Sequence, residues 1–308
     1  MMMRSPRIRR LLPVWLAATA LALVAGIVLL VVLRPQTLTD IGPLTQPPLP
    51  EASAGTKVLL AVGDIGFCGG EADDAVAQLA ASLPGEIALL GDIVYPDGSA
   101  QAFEECLEPA WGPMRPRLRP ALGNHEYDTG SADPYFDWFG PSAGTPGEGW
   151  YSYDLGEWHV VVLNSNCGFA RCGPGSPQLR WLTADLAEHA GDCLLAYWHH
   201  PRWSSGRHGS DVVVDPLWDA VVAAGADIVL SGHDHSYERV EVDGLQEFVV
   251  GTGGRSLYQF QRDALPETAV RHDDSYGLLW LALRDGGFEW QFLPLGVTAF
   301  SDSGLGEC

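Results

Sequence analysis

The chain has 308 residues, of which 46% are hydrophobic, and this is enough apolar material for one large core. Its 39 acidic residues outnumber 18 basic ones, so the formal net charge is -21. A surface this negative repels nucleic acids and anionic membranes, which excludes nucleic acid as a partner and requires local positive charge wherever an anionic small molecule binds.

The N-terminal region divides into a basic tail, residues 1–10, and an uncharged apolar run, residues 11–33. The run is long enough to cross a bilayer as a transmembrane helix, and the arginines before it place the N-terminus in the cytoplasm. Because it is longer than the apolar region of a cleaved signal peptide, we predict a single-pass signal anchor in the cell membrane. Secretion after signal cleavage is the alternative. Either arrangement exports the rest of the chain.

Residues 34–56 contain five prolines and little hydrophobic periodicity, which predicts a Pro-rich linker before a domain at 57–308. The six cysteines all lie in this exported domain, where disulfides persist. Fifteen pairings are possible, and only Cys167 with Cys172 is favoured by proximity. A cysteine-based zinc site is the alternative, although no Cys-x-x-Cys spacing supports it.

The domain begins with alternating strands and helices and ends in strands. Apolar runs predict strands at 58–62, 87–90, 121–122, 194–198 and 226–230, and hairpins at 150–163, 237–250 and 277–293. Amphipathic periodicity and end signals predict helices at 71–83, 177–189 and 216–224. This order indicates an α/β domain with a β-rich second half.

Polar residues follow five of these strands by one to three positions. They are Asp64, Asp92, Asn124, His199 and the pair His233 and His235. Because adjacent strand ends lie about 5 Å apart, we expect the side chains to meet at one rim of one sheet. Three imidazoles, two carboxylates and an amide oxygen suit Zn, Fe or Mn better than Ca or Mg. The sequence therefore predicts a centre of two metal ions.

These positions lie in five ordered motifs that resemble those of purple acid phosphatase-like metallophosphoesterases, in the calcineurin-like superfamily. The motifs are Gly63-Asp64-Ile65-Gly66, Gly91-Asp92-Ile93-Val94-Tyr95, Gly123-Asn124-His125-Glu126, Ala196-Tyr197-Trp198-His199 and Gly232-His233-Asp234-His235. The resemblance implies a four-layer α-β-β-α sandwich. It also implies hydrolysis of a small phosphorylated substrate, a phosphate monoester, by attack of a metal-bound hydroxide. A phosphodiesterase or pyrophosphatase, or a non-catalytic metal-binding module tethered to the membrane, is the alternative.

The resemblance also implies which residues hold each metal ion. One ion would bind Asp64, Asp92, Tyr95 and His235. The second would share Asp92 and bind Asn124, His199 and His233. Many superfamily members carry a histidine ligand where this chain has Gly66, and Tyr95 looks like its replacement.

A phenol with a pKa near 10 is readily ionised by a ferric ion, so Tyr95 favours Fe(III) at the first position. The second ion would then be divalent Zn, Mn or Fe.

Two further departures from the family are Ala196, where Val is usual, and the lack of room for the N-terminal β domain of the large plant-type members.

Three more residues are candidates for contacts with the substrate: His125, His208 and Arg202. His125 and His208 are candidate proton donors that would also bind substrate, His208 from a flexible Gly/Ser loop. Arg202 could bind substrate or lie on a surface loop. Strand alternation turns His200 away from His199. Glu238 and Arg239 are expected to form a supporting ion pair. The sequence carries no signal for an oligomeric state.

Overall fold

The computed structural model describes residues 47–53 and 55–308. The predicted basic tail, the apolar run at 11–33 and most of the linker lie outside the described residues. Within the part of the chain that is described, no helix combines the length and apolar character needed to cross a bilayer. Residues 47–53 have no regular secondary structure, and the first strand begins at Lys57.

The described part of the chain contains the following strands and helices. The strands are β1 (Lys57–Val62), β2 (Glu86–Leu90), β3 (Leu118–Ala121), β4 (Tyr151–Leu155), β5 (Trp158–Val162), β6 (Cys193–Tyr197), β7 (Ile228–Ser231), β8 (Tyr237–Val242), β9 (Leu245–Val250), β10 (Thr268–His272), β11 (Gly277–Arg284), β12 (Gly287–Pro294) and β13 (Ser303–Glu307). The α-helices are α1 (Glu71–Ser82), α2 (Ala100–Ala102), α3 (Glu108–Trp111), α4 (Asp133–Phe139), α5 (Cys167–Ala170), α6 (Pro177–Glu188) and α7 (Asp215–Ala223). A π-helical turn (Phe103–Leu107) joins α2 to α3, and 3-10 turns cover Gly112–Arg117, His125–Tyr127, Gly140–Ala143 and Val212–Val214.

The strands form two sheets. One has six strands in the order β13-β12-β11-β1-β2-β3, and the other has seven in the order β10-β8-β9-β7-β6-β5-β4. In the first sheet β1, β2 and β3 are parallel, and in the second β5, β6, β7 and β9 are parallel. Parallel strands direct their carboxyl ends toward one edge of a sheet, which is where open α/β sheets place their ligands.

The sheets pack face to face and each carries helices on its outer side. Leu59 and Ala61 of β1 point into the core between the sheets, whereas Leu60 and Val62 pack under α1. The outer face of the second sheet is covered by α6 and α7. Strands buried on both faces read as continuous apolar runs, which is why they could be found from sequence. The four layers are those that the resemblance implies.

Most predicted elements are confirmed, with ends shifted by one or two residues. The bounds of β8 and β9 agree with the prediction, and Ser176 caps α6 by accepting a hydrogen bond from the amide of Leu179. β3 begins at Leu118, before the predicted 121–122. The sequence analysis missed the helical run from Ala100 to Arg117, α4, and the edge strands β10 and β13. These missed elements are short, rich in proline or glycine, or both.

All six cysteines are paired, as Cys68–Cys106, Cys167–Cys172 and Cys193–Cys308. The local pair is therefore confirmed, and the zinc alternative loses its thiolate ligands. The Cys193–Cys308 bond joins the first residue of β6, in the second sheet, to the residue that follows β13, in the first. Disulfides of this kind indicate an oxidising compartment.

A buried carboxyl group on α1 supports the loop that follows β1. One oxygen of Asp73 accepts hydrogen bonds from the amide of Gly66, at 3.0 Å, and from the indole of Trp111, at 3.1 Å. Burial raises the pKa of Asp73 from 3.8 to about 7. Because the folded state holds this proton more tightly than the unfolded state, Asp73 lowers the free energy of unfolding as pH rises from about 4 to about 7.

We expect Asp73→Asn to remove this pH dependence, since the amide oxygen can still accept both hydrogen bonds. Relative to wild type, the variant should gain on the order of 3 kcal/mol in unfolding free energy between pH 4 and pH 8. Urea denaturation at the two pH values measures the difference. The matched control is Asp74→Asn, at the exposed neighbouring position. Parallel pH profiles for wild type and Asp73→Asn would contradict the prediction.

Candidate metal centre

The seven candidate ligands lie at a common edge of the two sheets. Asp64, Asp92 and Asn124 follow β1, β2 and β3 of the first sheet, whereas His199, His233 and His235 follow β6 and β7 of the second. The imidazole of His199 reaches across to the carbonyl of Leu90 at the end of β2, 2.8 Å away. The prediction of a single sheet rim is thus wrong. The face-to-face packing of two parallel segments brings both sets of strand ends together.

Three of the candidate ligands adopt a left-handed backbone conformation that side chains rarely occupy. The φ angles are 61° at Asp64, 48° at Asp92 and 68° at His233. Such residues cost folding energy, of order 1–3 kcal/mol each, and occur mainly where a site needs a side chain aimed in one direction. Three of the five non-glycine residues with positive φ in the described chain are therefore candidate ligands from the motifs.

The first group of ligand atoms surrounds the hydroxyl of Tyr95. This oxygen lies 2.9 Å from Asp64 Oδ1, 3.0 Å from Asp92 Oδ2 and 3.3 Å from His235 Nε2. Nε2 of His235 is also 3.2 Å from Asp64 Oδ1. The other ring nitrogen of His235 donates to the carbonyl of Ser256 at 2.8 Å, so Nε2 directs its lone pair into the group.

The second group of ligand atoms surrounds Nε2 of His199. Asp92 Oδ1 lies 3.3 Å from it and Nδ1 of His233 lies 3.2 Å from it. Because Nδ1 of His199 donates to Leu90, Nε2 would carry the lone pair of the neutral imidazole that a metal ion requires. Asp92 thus turns one oxygen toward each group, which is the arrangement of a bridging carboxylate.

The residues present fit two metal ions. Oδ1 of Asn124 is buried and has no hydrogen-bond partner in the described structure. Lone pairs of two imidazoles face carboxylate oxygens at 3.2–3.3 Å, and a cation between them would satisfy both. A buried acceptor without a partner is costly, and the imidazoles, carboxylates and amide oxygen gathered here form the mixed N/O set suited to Zn, Fe or Mn.

Glycines of the motifs allow the ligand loops to approach closely. A Cβ at Gly66, where φ is 61°, would lie 2.0 Å from the carbonyl oxygen of Ile93. No histidine can occupy this position, which agrees with the prediction that Tyr95 takes the place of the missing ligand. At Gly123 a Cβ would lie 2.2 Å from Asp92 Oδ1, so only glycine leaves that carboxylate in place.

The electrostatics of the centre depend on its burial. Burial, together with the charges of Asp64 and Asp92, raises the pKa of Tyr95 well above its usual range, so the phenol keeps its proton unless a cation adjoins it. Burial alone would lower the pKa of His199, but the charge of Asp92 outweighs this and raises it to about 9. A metal ion requires neutral imidazole and would displace that proton.

Glu126 holds two ligand loops together, a role that the sequence analysis missed. Its buried carboxylate accepts hydrogen bonds from the amides of Ile93, at 2.8 Å, and Gly123, at 2.7 Å. Burial and the charge of Asp92 raise the pKa of Glu126 to about 8. The only sequence signal was its place in the third motif, directly after His125.

The structure brings both proposed proton donors to the centre. Nδ1 of His125 lies 2.6 Å from the carbonyl of Pro96, which can only accept, so Nε2 faces the site 3.7 Å from Asp92 Oδ2. The ring of His208 lies 4.3 Å from that of His233. Its loop is not free, because Asp234 accepts hydrogen bonds from the amides of His208 and Gly209. These two hydrogen bonds tie the loop to the segment that carries His233 and His235.

His200 lies beside the centre, contrary to prediction. Its ring is 4.6 Å from that of His233, and Nδ1 is 2.8 Å from the hydroxyl of Ser165. Strand alternation failed here because β6 ends at Tyr197, before the two histidines. Burial and the neighbouring His199 lower the pKa of His200 to about 3.

For Arg202 the structure favours the alternative to substrate contact, and the ion pair expected between Glu238 and Arg239 is not formed. Arg202 forms an ion pair with Asp215 at the start of α7 and lies over the ring of Trp203, so its guanidinium is held in the outer helical layer and not brought to the ligands. Glu238 and Arg239 do not pair with each other. As successive residues of β8 they point to opposite faces, and Glu238 contacts Ser205 and Thr268, while Arg239 contacts Asp302.

Three rim residues, Arg207, Arg255 and Tyr258, were not identified from sequence. The ring of Tyr258 stacks on that of His235, with centroids 4.1 Å apart. Arg207 lies over the ring of Tyr258, and Arg255 lies over the ring of Tyr95. The sequence offered one indication of the two arginines, their closeness to residues already singled out. Arg207 precedes His208, and Arg255 directly follows the glycine-rich segment after β9.

Residues 57–237 match the family described as calcineurin-like phosphoesterase. Purple acid phosphatase 15 of Arabidopsis thaliana is 24% identical over 298 aligned residues, covering 80% of this chain and 54% of that protein. Purple acid phosphatase 18 of the same plant is 27% identical, covering 61% of this chain and 48% of that protein. The chain thus spans about half the length of these curated relatives.

Solved structures with the same fold include two that differ in description. Purple acid phosphatase PPD1 from yellow lupin seeds superposes with a TM-score of 0.67 at 19% identity, over 83% of this chain and 55% of that one. GAP50, described as the anchor in the inner membrane complex of Plasmodium, superposes with a TM-score of 0.66 at 14% identity, over 82% of this chain and 90% of that one. At these identities the likeness concerns the fold alone.

Proposed function

The chain belongs to the calcineurin-like phosphoesterase family, and we propose that it is a purple acid phosphatase-like enzyme that hydrolyses phosphate monoesters. The observation that carries this proposal is the position of Asp92, which turns one oxygen toward Tyr95 and the other toward His199. A carboxylate placed between two groups of ligand atoms is suited to hold two metal ions at once.

The metal ions would be held by the residues of the two groups. Asp64, Asp92, Tyr95 and His235 would hold one, and Asp92, Asn124, His199 and His233 the other. When bound, such ions polarise a phosphate and lower the pKa of water so that it can act as a nucleophile near neutral pH. They also give the site local positive charge in a chain whose net charge is -21, which an anionic substrate requires.

The identity of the metals forms part of the proposal. The high pKa of Tyr95 means that only a strongly charged cation would ionise its phenol at the pH of the cell. This favours Fe(III) in the Tyr95 position, with divalent Zn, Mn or Fe in the other. The impossibility of a side chain at Gly66 supports Tyr95 as the ligand in that place.

Hydrolysis of phenyl phosphate by the purified exported domain tests the function. We expect turnover that a chelator abolishes and that added metal restores, and slower turnover of diphenyl phosphate and pyrophosphate. Faster cleavage of either of those compounds would favour the phosphodiesterase or pyrophosphatase alternative. Protein that contains both metals but turns over none of the three would support the non-catalytic alternative.

His125 and His208 are proposed to donate the proton that a departing alkoxide needs. A positioned acid of this kind is typically worth 10²–10⁴-fold in rate. Both rings adjoin the ligand groups, and Nε2 of His125 faces the site. We expect alanine at the true donor to slow hydrolysis of an alkyl phosphate at least about tenfold more than that of 4-nitrophenyl phosphate, whose leaving group needs little help.

Steady-state kinetics of both substrates with His125→Ala and His208→Ala measure this difference. His189→Ala, in a histidine that stacks on His159 and has no contact with the centre among the described residues, is the matched control. If each variant slows the two substrates equally, neither histidine is the donor, and His200 becomes the next candidate because its ring also adjoins His233.

The three disulfides favour an extracytoplasmic or secreted location for the domain. Attachment to the cell membrane through residues 11–33 is the finer proposal, and it rests on the sequence of that segment alone. In this arrangement the linker would hold the domain outside the membrane, where its metal centre would meet extracellular phosphate esters.

A further inference from the structure

Two arginines stand at the rim of the metal centre without a carboxylate partner. Arg207 is exposed and Arg255 is half-buried. Within the described residues, the arginines that pair with acidic side chains are Arg115, Arg119, Arg202 and Arg239. Arg117, Arg171, Arg180, Arg262, Arg271 and Arg284 also lack such a partner among the described residues. Arg207 and Arg255 differ from them because they lie over Tyr258 and Tyr95, beside the candidate ligands.

Backbone hydrogen bonds tie both arginines to the metal-binding loops. The amide of Arg255 donates to the carbonyl of Asp64 at 3.0 Å, and the amide of Tyr258 donates to the carbonyl of His235 at 2.9 Å. The loop of Arg207 is tied by the carboxylate of Asp234, which accepts from the amide of His208 at 2.7 Å. Each arginine therefore keeps a fixed position relative to the candidate ligands.

Aromatic rings hold the two guanidinium groups in place. The Cζ atom of Arg207 lies 4.8 Å from the ring centre of Tyr258, and that of Arg255 lies 5.2 Å from Tyr95 and 4.6 Å from Phe67. Cation–π contacts hold a guanidinium while leaving most of its N–H donors free, and the one side-chain hydrogen bond of Arg255 in the described structure goes to Ser256 Oγ at 3.0 Å. Planar forks of this kind bind phosphate oxygens with two parallel hydrogen bonds.

The charge balance at the centre indicates which ligand the guanidinium groups of Arg207 and Arg255 would bind. Asp64, Asp92 and, once a cation had ionised it, Tyr95 would offset much of the charge of two bound metal ions, which would remain available for the ester phosphate. A second anionic group on the substrate would meet a protein of net charge -21 and would need its own cationic partners. The rim supplies them in Arg207 and Arg255, on either side of the residues that carry the metal ligands.

We propose that Arg207 and Arg255, positioned by Tyr258 and Tyr95, bind a second phosphate group of the substrate. The preferred substrates are then small molecules that carry two or more phosphates, one hydrolysed at the metal centre and one held at the rim. This inference rests on the proposed phosphatase function and specifies its substrate class.

The test compares fructose 1,6-bisphosphate with fructose 6-phosphate, which differ by one phosphate. Wild type should show the lower KM for the bisphosphate. Arg207→Ala and Arg255→Ala should each raise that KM about tenfold more than the KM for the monophosphate, since a charge-assisted hydrogen bond contributes about that factor. Arg284→Ala is the control, because it removes the same charge far from the site. Arg284 follows Leu283, which pairs with Lys57 at the opposite end of β1 from Asp64. This variant should leave the ratio of the two KM values unchanged.

Calorimetric binding of the same two sugars to the metal-loaded protein separates the inference from the function. A binding preference for the bisphosphate that the Arg207 and Arg255 variants lose supports the rim site even if neither sugar is turned over, in which case only the phosphatase proposal fails. Equal binding of both sugars by wild type overturns the inference. Equal weakening of both sugars by the variants overturns it too, because the arginines would then bind the ester phosphate or support the fold.

Discussion

Asp92→Asn should lower kcat/KM for phosphate monoesters at least about a thousandfold, equivalent to about 4 kcal/mol of transition-state stabilisation. Among the described residues, Asp92 contacts ligand atoms of both groups, through Oδ2 at Tyr95 and Oδ1 at His199. An amide presents one oxygen and no charge, so it cannot bridge two cations. The variant should therefore also retain less metal, measured by elemental analysis of protein purified without added metal.

The fold should survive this substitution, which keeps the interpretation clear. Asp92 Oδ1 accepts a hydrogen bond from the amide of His125 at 2.9 Å, and an asparagine oxygen can accept it as well. Asp137→Asn, in an exposed residue of α4, removes the same charge and serves as the control. An Asp92→Asn protein that keeps both metals and more than about a tenth of wild-type activity would contradict the bridging role.

The local sequence indicated most of the candidate ligands because the strands before them, β1, β2, β6 and β7, are buried on both faces. The runs ending before Asp64, Asp92 and His199 are apolar without interruption, and only the core of a parallel sheet produces that pattern. The loop residues after them are polar and strained, so a small set of positions stood out. The resemblance of the motifs to the family then implied that Asp92 is shared by the two groups of ligands.

Without the family resemblance, the sequence does not show that the strands form two sheets. β1 pairs with β11, more than two hundred residues away along the chain. β13, which pairs with β12, contains two glycines, Gly304 and Gly306, and so carries little strand signal. Such pairings depend on the packing of the whole core, and no local pattern encodes them. For the same reason the rim residues Arg207 and Arg255 were missed, because they come to the metal centre from two separate loops of the second sheet, one after β6 and one after β9.

Tyr95→Phe should abolish the visible colour that we expect of the purified protein. A phenolate bound to Fe(III) absorbs visible light by charge transfer, whereas a phenyl ring cannot bind the ion. The substitution keeps the buried ring and removes only the hydroxyl, which contacts Asp64 and Asp92 at 2.9 and 3.0 Å. An absorption spectrum with parallel iron and zinc analysis measures the result.

Tyr258→Phe is the control that distinguishes ligation from general disturbance of the site. Its ring stacks on His235 as closely as any aromatic group near the centre, yet its hydroxyl makes no recorded contact with the ligand atoms of the described structure. The band should persist in that variant. A colourless wild-type protein containing only zinc would refute the ferric assignment while leaving the phosphatase proposal intact, since two zinc ions can also polarise a phosphate and activate water. If the colour survives in Tyr95→Phe, another tyrosine must be the phenolate ligand. Tyr95 would then keep its proton, as its raised pKa favours.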